Sequence, residues 1–164
     1  HENLTADYAQ ITKDMRLFAV DLGHERLCEA TAAEFYSVFP ILRQRYGDRP
    51  AFRALHFFEE TRRAAEEADA LSAGDFNKFL RLYRESAESS EQYLQNIVSE
   101  NEPQHRLQKA IAAARSILSG AGAVRVHGGG FAGTAQAFVP VDMKQKFSEE
   151  MQSAGFACLW PEII

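Results

Sequence analysis

"RVHGGGFAGTAQAFVP", residues 125–140, sets four glycines within six positions, Gly128, Gly129, Gly130 and Gly133. Before it, "AVRVH" alternates, with Val124 and Val126 facing one way and Arg125 and His127 the other. After it, "TAQAFV" also reads as extended. The spacing of Gly128, Gly130 and Gly133 fits the dinucleotide fingerprint, but that fingerprint needs a helix after the glycines. "TAQAFVP" has neither helical periodicity nor the length for one before Pro140. A phosphate loop would carry lysine where Thr134 stands. A strand–glycine loop–strand unit remains, with neighbouring antiparallel strands expected over 123–127 and about 134–139. Its loop either forms an anion-binding nest of successive N–H groups or simply turns the chain. Each consecutive glycine gives up on the order of 0.5–1 kcal/mol relative to alanine on ordering, which favours a loop whose shape matters.

Outward from this unit the chain is helical. Tyr8, Ile11, Met15, Phe18 and Leu22 recur every three or four residues, between Thr5 as N-cap and Gly23 as stop. Thr31 and Glu34 form a capping box ahead of Phe35, Val38, Phe39 and Leu42, and Gly47 ends that helix. Pro50 opens a longer helix, with Ala54, Phe57, Phe58, Ala65, Ala68 and Leu71 as its apolar set. Gly74 ends it, and Asp75 caps a helix that buries Phe76, Phe79, Leu80 and Tyr83. An irregular break and more helix are expected through "ESAESSEQYLQNIVSEN". A further helix over 103–119 carries Leu107, Ala110, Ile111, Ala114 and Leu118. A short helix and the apolar "FACLW" follow the glycine unit. This is a helix-rich α+β unit with a small antiparallel sheet packed by helices.

Composition narrows the function. The 164 residues suit one domain, and the net charge of −5 disfavours a nucleic-acid partner. No apolar run approaches the roughly 18 residues of a membrane span. Cys28 and Cys158, 130 positions apart, offer neither a disulfide framework nor a metal spacing, which fits a reducing cytoplasm. His1, His24, His56 and His105 lack partners at ligand spacing and read as surface or core residues. Glu59, Glu60, Glu66 and Glu67, interleaved with Arg62 and Arg63, read as a solvated helix face.

The segment "GAVRVHGGGFAGTAQAFV" resembles the third conserved motif of the galacto-, homoserine, mevalonate and phosphomevalonate kinase superfamily, and is most similar to galactokinases. "DYAQITKDM" resembles the galactokinase Y-N-x-R-R-x-E-C segment, aligning Tyr8 with its tyrosine and Asp14 with its acid. "FRALHFFEETRRAAEEADALSAGDFNKFLRLYRES" and "SSEQYLQN" resemble the segments that follow, so the likeness runs in order along nearly the whole chain. His127 stands where a threonine is usual, and Ala132 and Thr134 stand where glycine and cysteine are common.

The resemblance implies the C-terminal lobe of a cytoplasmic sugar kinase, a transferase of carbohydrate metabolism. The family's sugar motif, ATP loop and catalytic aspartate are absent from these 164 residues, and the chain opens without a methionine. Residues 1–164 are therefore expected to be the C-terminal domain of a galactokinase-like protein, its partner the N-terminal half of the same protein. With that half, the protein would transfer the γ-phosphoryl of ATP to the C1 hydroxyl of galactose, with Mg²⁺ at the phosphates. This lobe alone would be inactive, would hold no catalytic residue or metal, and would bind ATP and Mg²⁺ weakly. Tyr8 would contact the sugar, although periodicity alone makes it a core residue. His127, Gly128, Gly129, Gly130, Phe131, Gly133 and Thr134 would form the loop at the active-site cleft. His127 would meet ligand or loop backbone, or be structural, and Ser89 and Ser90 would either line the cleft or sit on a helix surface. Three other functions share these features: a galactokinase-like sugar sensor, a superfamily kinase with another small substrate, and a stand-alone interaction domain.

Overall fold

A computed structural model describes residues 2–162. Six helices and one hairpin follow in order: α1 (Thr5–Asp21), α2 (Ala32–Tyr46), α3 (Asp48–Ser72), α4 (Phe76–Ser89), α5 (Arg106–Leu118), β1 (Ala123–His127), β2 (Thr134–Phe138) and α6 (Lys144–Ser153). The helix-rich α+β reading holds. His1 lies outside the described residues.

Helix ends follow local chemistry. At α2 the Thr31 side chain accepts from the Glu34 N–H while the Glu34 carboxylate accepts from the Thr31 N–H, the reciprocal box expected. Asp75 accepts from the Lys78 N–H at 2.9 Å to open α4. After α1 and α3 the backbone turns back through paired bonds, His24 N–H to Ala19 O and Asp75 N–H to Ala70 O, closing on Gly23 and Gly74. Thr5 does not cap α1. It is the first helical residue, entered from a 3₁₀ turn over Glu2–Leu4, and no side chain caps that end.

Among the described residues, packing forms three apolar clusters. Phe18, Phe35 and Phe58 centre the α1–α2–α3 bundle, with Phe35 and Phe58 stacked at 4.4 Å. Val124 and Val126 pack with Leu107, Ile111, Phe147 and Met151 on the α5–α6 side of the hairpin. Ala123 packs with Phe79, Tyr83 and Ala70 on the α4 side. The hairpin is thus held between helices on both faces. β1 and β2 pair antiparallel, from Ala123 opposite Phe138 to His127 opposite Thr134, leaving residues 128–133 as the loop.

Several sequence expectations fail for one reason, that tertiary placement chooses which face of a helix is inward. In the second half of α3, Ala65, Ala68 and Leu71 are exposed, while Arg63 and Ala70 are buried. Phe76 is largely exposed, and Leu82 takes the inward position in α4. The stretch after α4 continues directly as a π turn over Ser90–Leu94 and then leaves the helix at Gln95 in the left-handed region. "FACLW" is irregular; its Trp160 donates to Ser148 Oγ at 3.1 Å and meets the Phe147 ring edge-on.

Candidate functional site

A cleft of about 590 Å³ opens between α1, α3 and the glycine loop. Ile11, Met15, Phe57 and Leu94 give it an apolar wall, while Tyr8, Asn96, His56 and Glu60 supply the polar groups. The apolar stripe of α1 is therefore shared between two tasks: Phe18 lies in the bundle core, and Tyr8, Ile11 and Met15 line the cleft.

The loop is fastened from below. The Tyr8 hydroxyl donates to Gly130 O at 2.8 Å, across 122 residues of chain, and its ring meets Phe131 edge-on at 5.5 Å. Asn96 Nδ2 donates to Gly129 O at 3.2 Å, and the Phe131 N–H donates to Asn96 O. Gly130 has φ +85°, and a Cβ there would overlap the Asn96 carbonyl, so both conformation and contact require glycine. Phe131 also adopts a left-handed backbone (φ 58°) yet is almost fully buried. Gly128, Gly129, Gly133, Thr134 and His127 are exposed. The sequence-derived residues therefore divide: Tyr8, Gly128 and Gly129 line the cleft, Gly130 and Phe131 form the buried root of the loop, and His127, Gly133 and Thr134 flank it.

A polar seam missed by the sequence reading runs behind the cleft. His56, Glu60, Arg63 and Glu67 recur at helical spacing on α3 and face inward, so the acidic–basic run is not one solvated face. Only its outer part is solvated, where Arg62 bridges Glu59 and Glu66. Arg63 pairs with Glu60, Ser86 donates to Glu60, and Arg125 Nη1 donates to Ser86 Oγ at 2.8 Å. Arg125 also lies 4.2 Å over the Tyr83 ring, whose hydroxyl burial pushes up to about 12. Ser89 and Ser90 are buried, and Ser89 Oγ shares a hydrogen bond of 2.8 Å with His56 Nδ1. Ser89 thus supports the cleft residue His56 from behind.

Burial lowers the His56 imidazole below its ordinary 6.5, against the pull of Glu60 and with the help of Arg63. Because the folded value lies below the unfolded one, stability is held above 6.5 and lost as pH falls below it. Burial pushes Glu67 up instead, which acts in the opposite sense nearer 4.5. Denaturant midpoints measured from about pH 7 down to about 5.5 should fall, and His56→Gln should flatten that slope. An unchanged slope would show that His56 is protonated equally in both states.

Beneath the cleft, Arg53 is fully buried and donates from Nη1 to Asp14 Oδ2 at 2.6 Å and from Nε to Leu94 O at 3.1 Å. Asp14 also accepts from Gln10 at 2.6 Å. The pair ties α1 and α3 to the end of the π turn, one step before Gln95 and Asn96.

Among the described residues no group of three or more His, Cys, Asp or Glu side chains is placed to hold a metal ion. None of the described helices is long and apolar enough to cross a membrane. No family model matches the chain.

Proposed function

We propose that this chain is the C-terminal lobe of a galactokinase-like enzyme, supplying one wall of the cleft in which ATP phosphorylates the C1 hydroxyl of galactose. One observation carries the reading. Tyr8 and the glycine loop, assigned to a common site by separate motifs, meet in a 2.8 Å hydrogen bond across 122 residues.

In this reading the exposed backbone of Gly128 and Gly129 forms the loop's contact edge. Tyr8 offers an aromatic body and a hydroxyl beside an apolar wall, a combination suited to a sugar with one apolar face. Phosphoryl transfer depends on positioning and charge stabilisation, so a wall of fixed shape is a chemical contribution. The described residues do not fit a metal centre; Mg²⁺, the nucleotide cradle and the base that takes the sugar proton are assigned to the other half.

The test is to assay the purified chain with ATP, Mg²⁺ and galactose, alone and mixed with the N-terminal half of a galactokinase. Turnover is expected only in the mixture. Sugar and ATP binding without turnover would replace the kinase with a sensor, and turnover by the chain alone would overturn the half-enzyme reading.

Within the active mixture, Tyr8→Phe removes the donor to Gly130 O together with the hydroxyl offered to the sugar. It should therefore raise the galactose KM by about two- to tenfold, lower kcat through the loosened loop and leave the ATP KM unchanged. An unchanged galactose KM would return Tyr8 to a purely structural place beneath the loop.

A further inference from the structure

We propose that Asn96 is a positioning residue that seats the glycine loop, a role resting on the kinase reading above. Three consecutive loop residues are gripped through it and Tyr8. The Asn96 amide donates to Gly129 O at 3.2 Å, Tyr8 donates to Gly130 O at 2.8 Å, and the backbone O of Asn96 accepts from Phe131. Two carbonyls of the loop are thereby turned toward the domain while Gly128 and Gly129 stay exposed at the cleft.

Two features set this apart from ordinary packing. Asn96 is 1% exposed, and among the described residues its Oδ1 has no hydrogen-bond partner. A side chain serving only to fill space would not leave a buried amide half satisfied. Backbone strain also sits on both sides of the contact, with Gln95 at φ 57° and Phe131 at φ 58°. Non-glycine residues hold such a conformation only where their surroundings over-determine it. The seat is therefore a fitted joint between the segment after the π turn and the loop.

Two variants attack the joint from opposite sides. Asn96→Leu keeps much of the shape but removes the donor to Gly129, and Gly130→Ala drives a methyl into the Asn96 carbonyl. In each, amide exchange of the 164-residue chain followed by NMR should speed up about tenfold at Phe131 and Ala132, while Val124 and Val126 keep their wild-type rates. In the reconstituted kinase, Asn96→Leu should lower kcat about tenfold with the galactose KM within twofold, because the loop is misplaced rather than the sugar released.

Unchanged exchange at Phe131, or equal acceleration across β1, would overturn the seat. A normal kcat despite faster loop exchange would overturn the positioning role. An inert wild-type mixture would instead overturn the kinase reading, and the exchange measurements would still decide whether Asn96 seats the loop.

Discussion

Arg53→Met is expected to destabilise the domain by about 3–5 kcal/mol, read as a lower urea midpoint at unchanged slope. Arg53 is fully buried and Asp14 nearly so, and their ion pair at 2.6 Å is what keeps the carboxylate supported away from water. Methionine fills much of the volume but leaves Asp14 with the Gln10 amide alone. The second variant needed is Arg53→Met with Asp14→Leu, which removes both charges. That double change should recover most of the loss, since an apolar pair of similar volume often matches or exceeds a buried ion pair. A double variant as unstable as the single one would locate the cost elsewhere, in the lost Arg53 bond to Leu94 O.

If the proposed kinase activity is reconstituted, Gly129→Val should lower its turnover on the order of 10²-fold while barely moving the melting temperature of the chain. Gly129 is exposed, so no core contact is lost. An added Cβ, however, would stand 2.9 Å from Tyr8 Cε1, which forces either the ring to tilt or the loop to lift. A displacement of about 1 Å at a reacting centre is enough for an effect of that size. Paired measurements of melting and kcat decide it. Turnover falling only in proportion to the folded fraction would reduce the loop to a connection between strands.

These two residues also show what the sequence made legible. The glycine hairpin was readable because strand alternation and glycine clustering are local signals, and β1 and β2 fall where the alternation places them. The Thr31–Glu34 box was readable because its chemistry spans four residues. Arg53, Arg63 and Glu60 were not, because a polar residue at helical spacing looks the same whether it faces water or a partner. What decides the matter lies far along the chain: Asp14 for Arg53, and Ser86 and Arg125 for the Glu60 seam. Asn96 was hidden further still. Its role depends on a backbone carbonyl and on a π turn, and neither leaves a mark in residue type.

The hydrogen bond from Tyr8 to Gly130 has a consequence during synthesis. The 122 residues between its two ends take roughly 6–24 s to translate at 5–20 residues per second. Once the exit tunnel has released it, α1 stands outside the ribosome for the rest of that interval, and its apolar cleft-facing side has no loop beside it. The apolar cluster around Phe18, Phe35 and Phe58 draws only on residues up to Phe58, so it can form on the ribosome before the later elements. The cleft is then finished in a single late event, when the hairpin emerges and docks. A ribosome stalled after α5 would hold the α1 and α3 walls of the cleft without the loop that completes it.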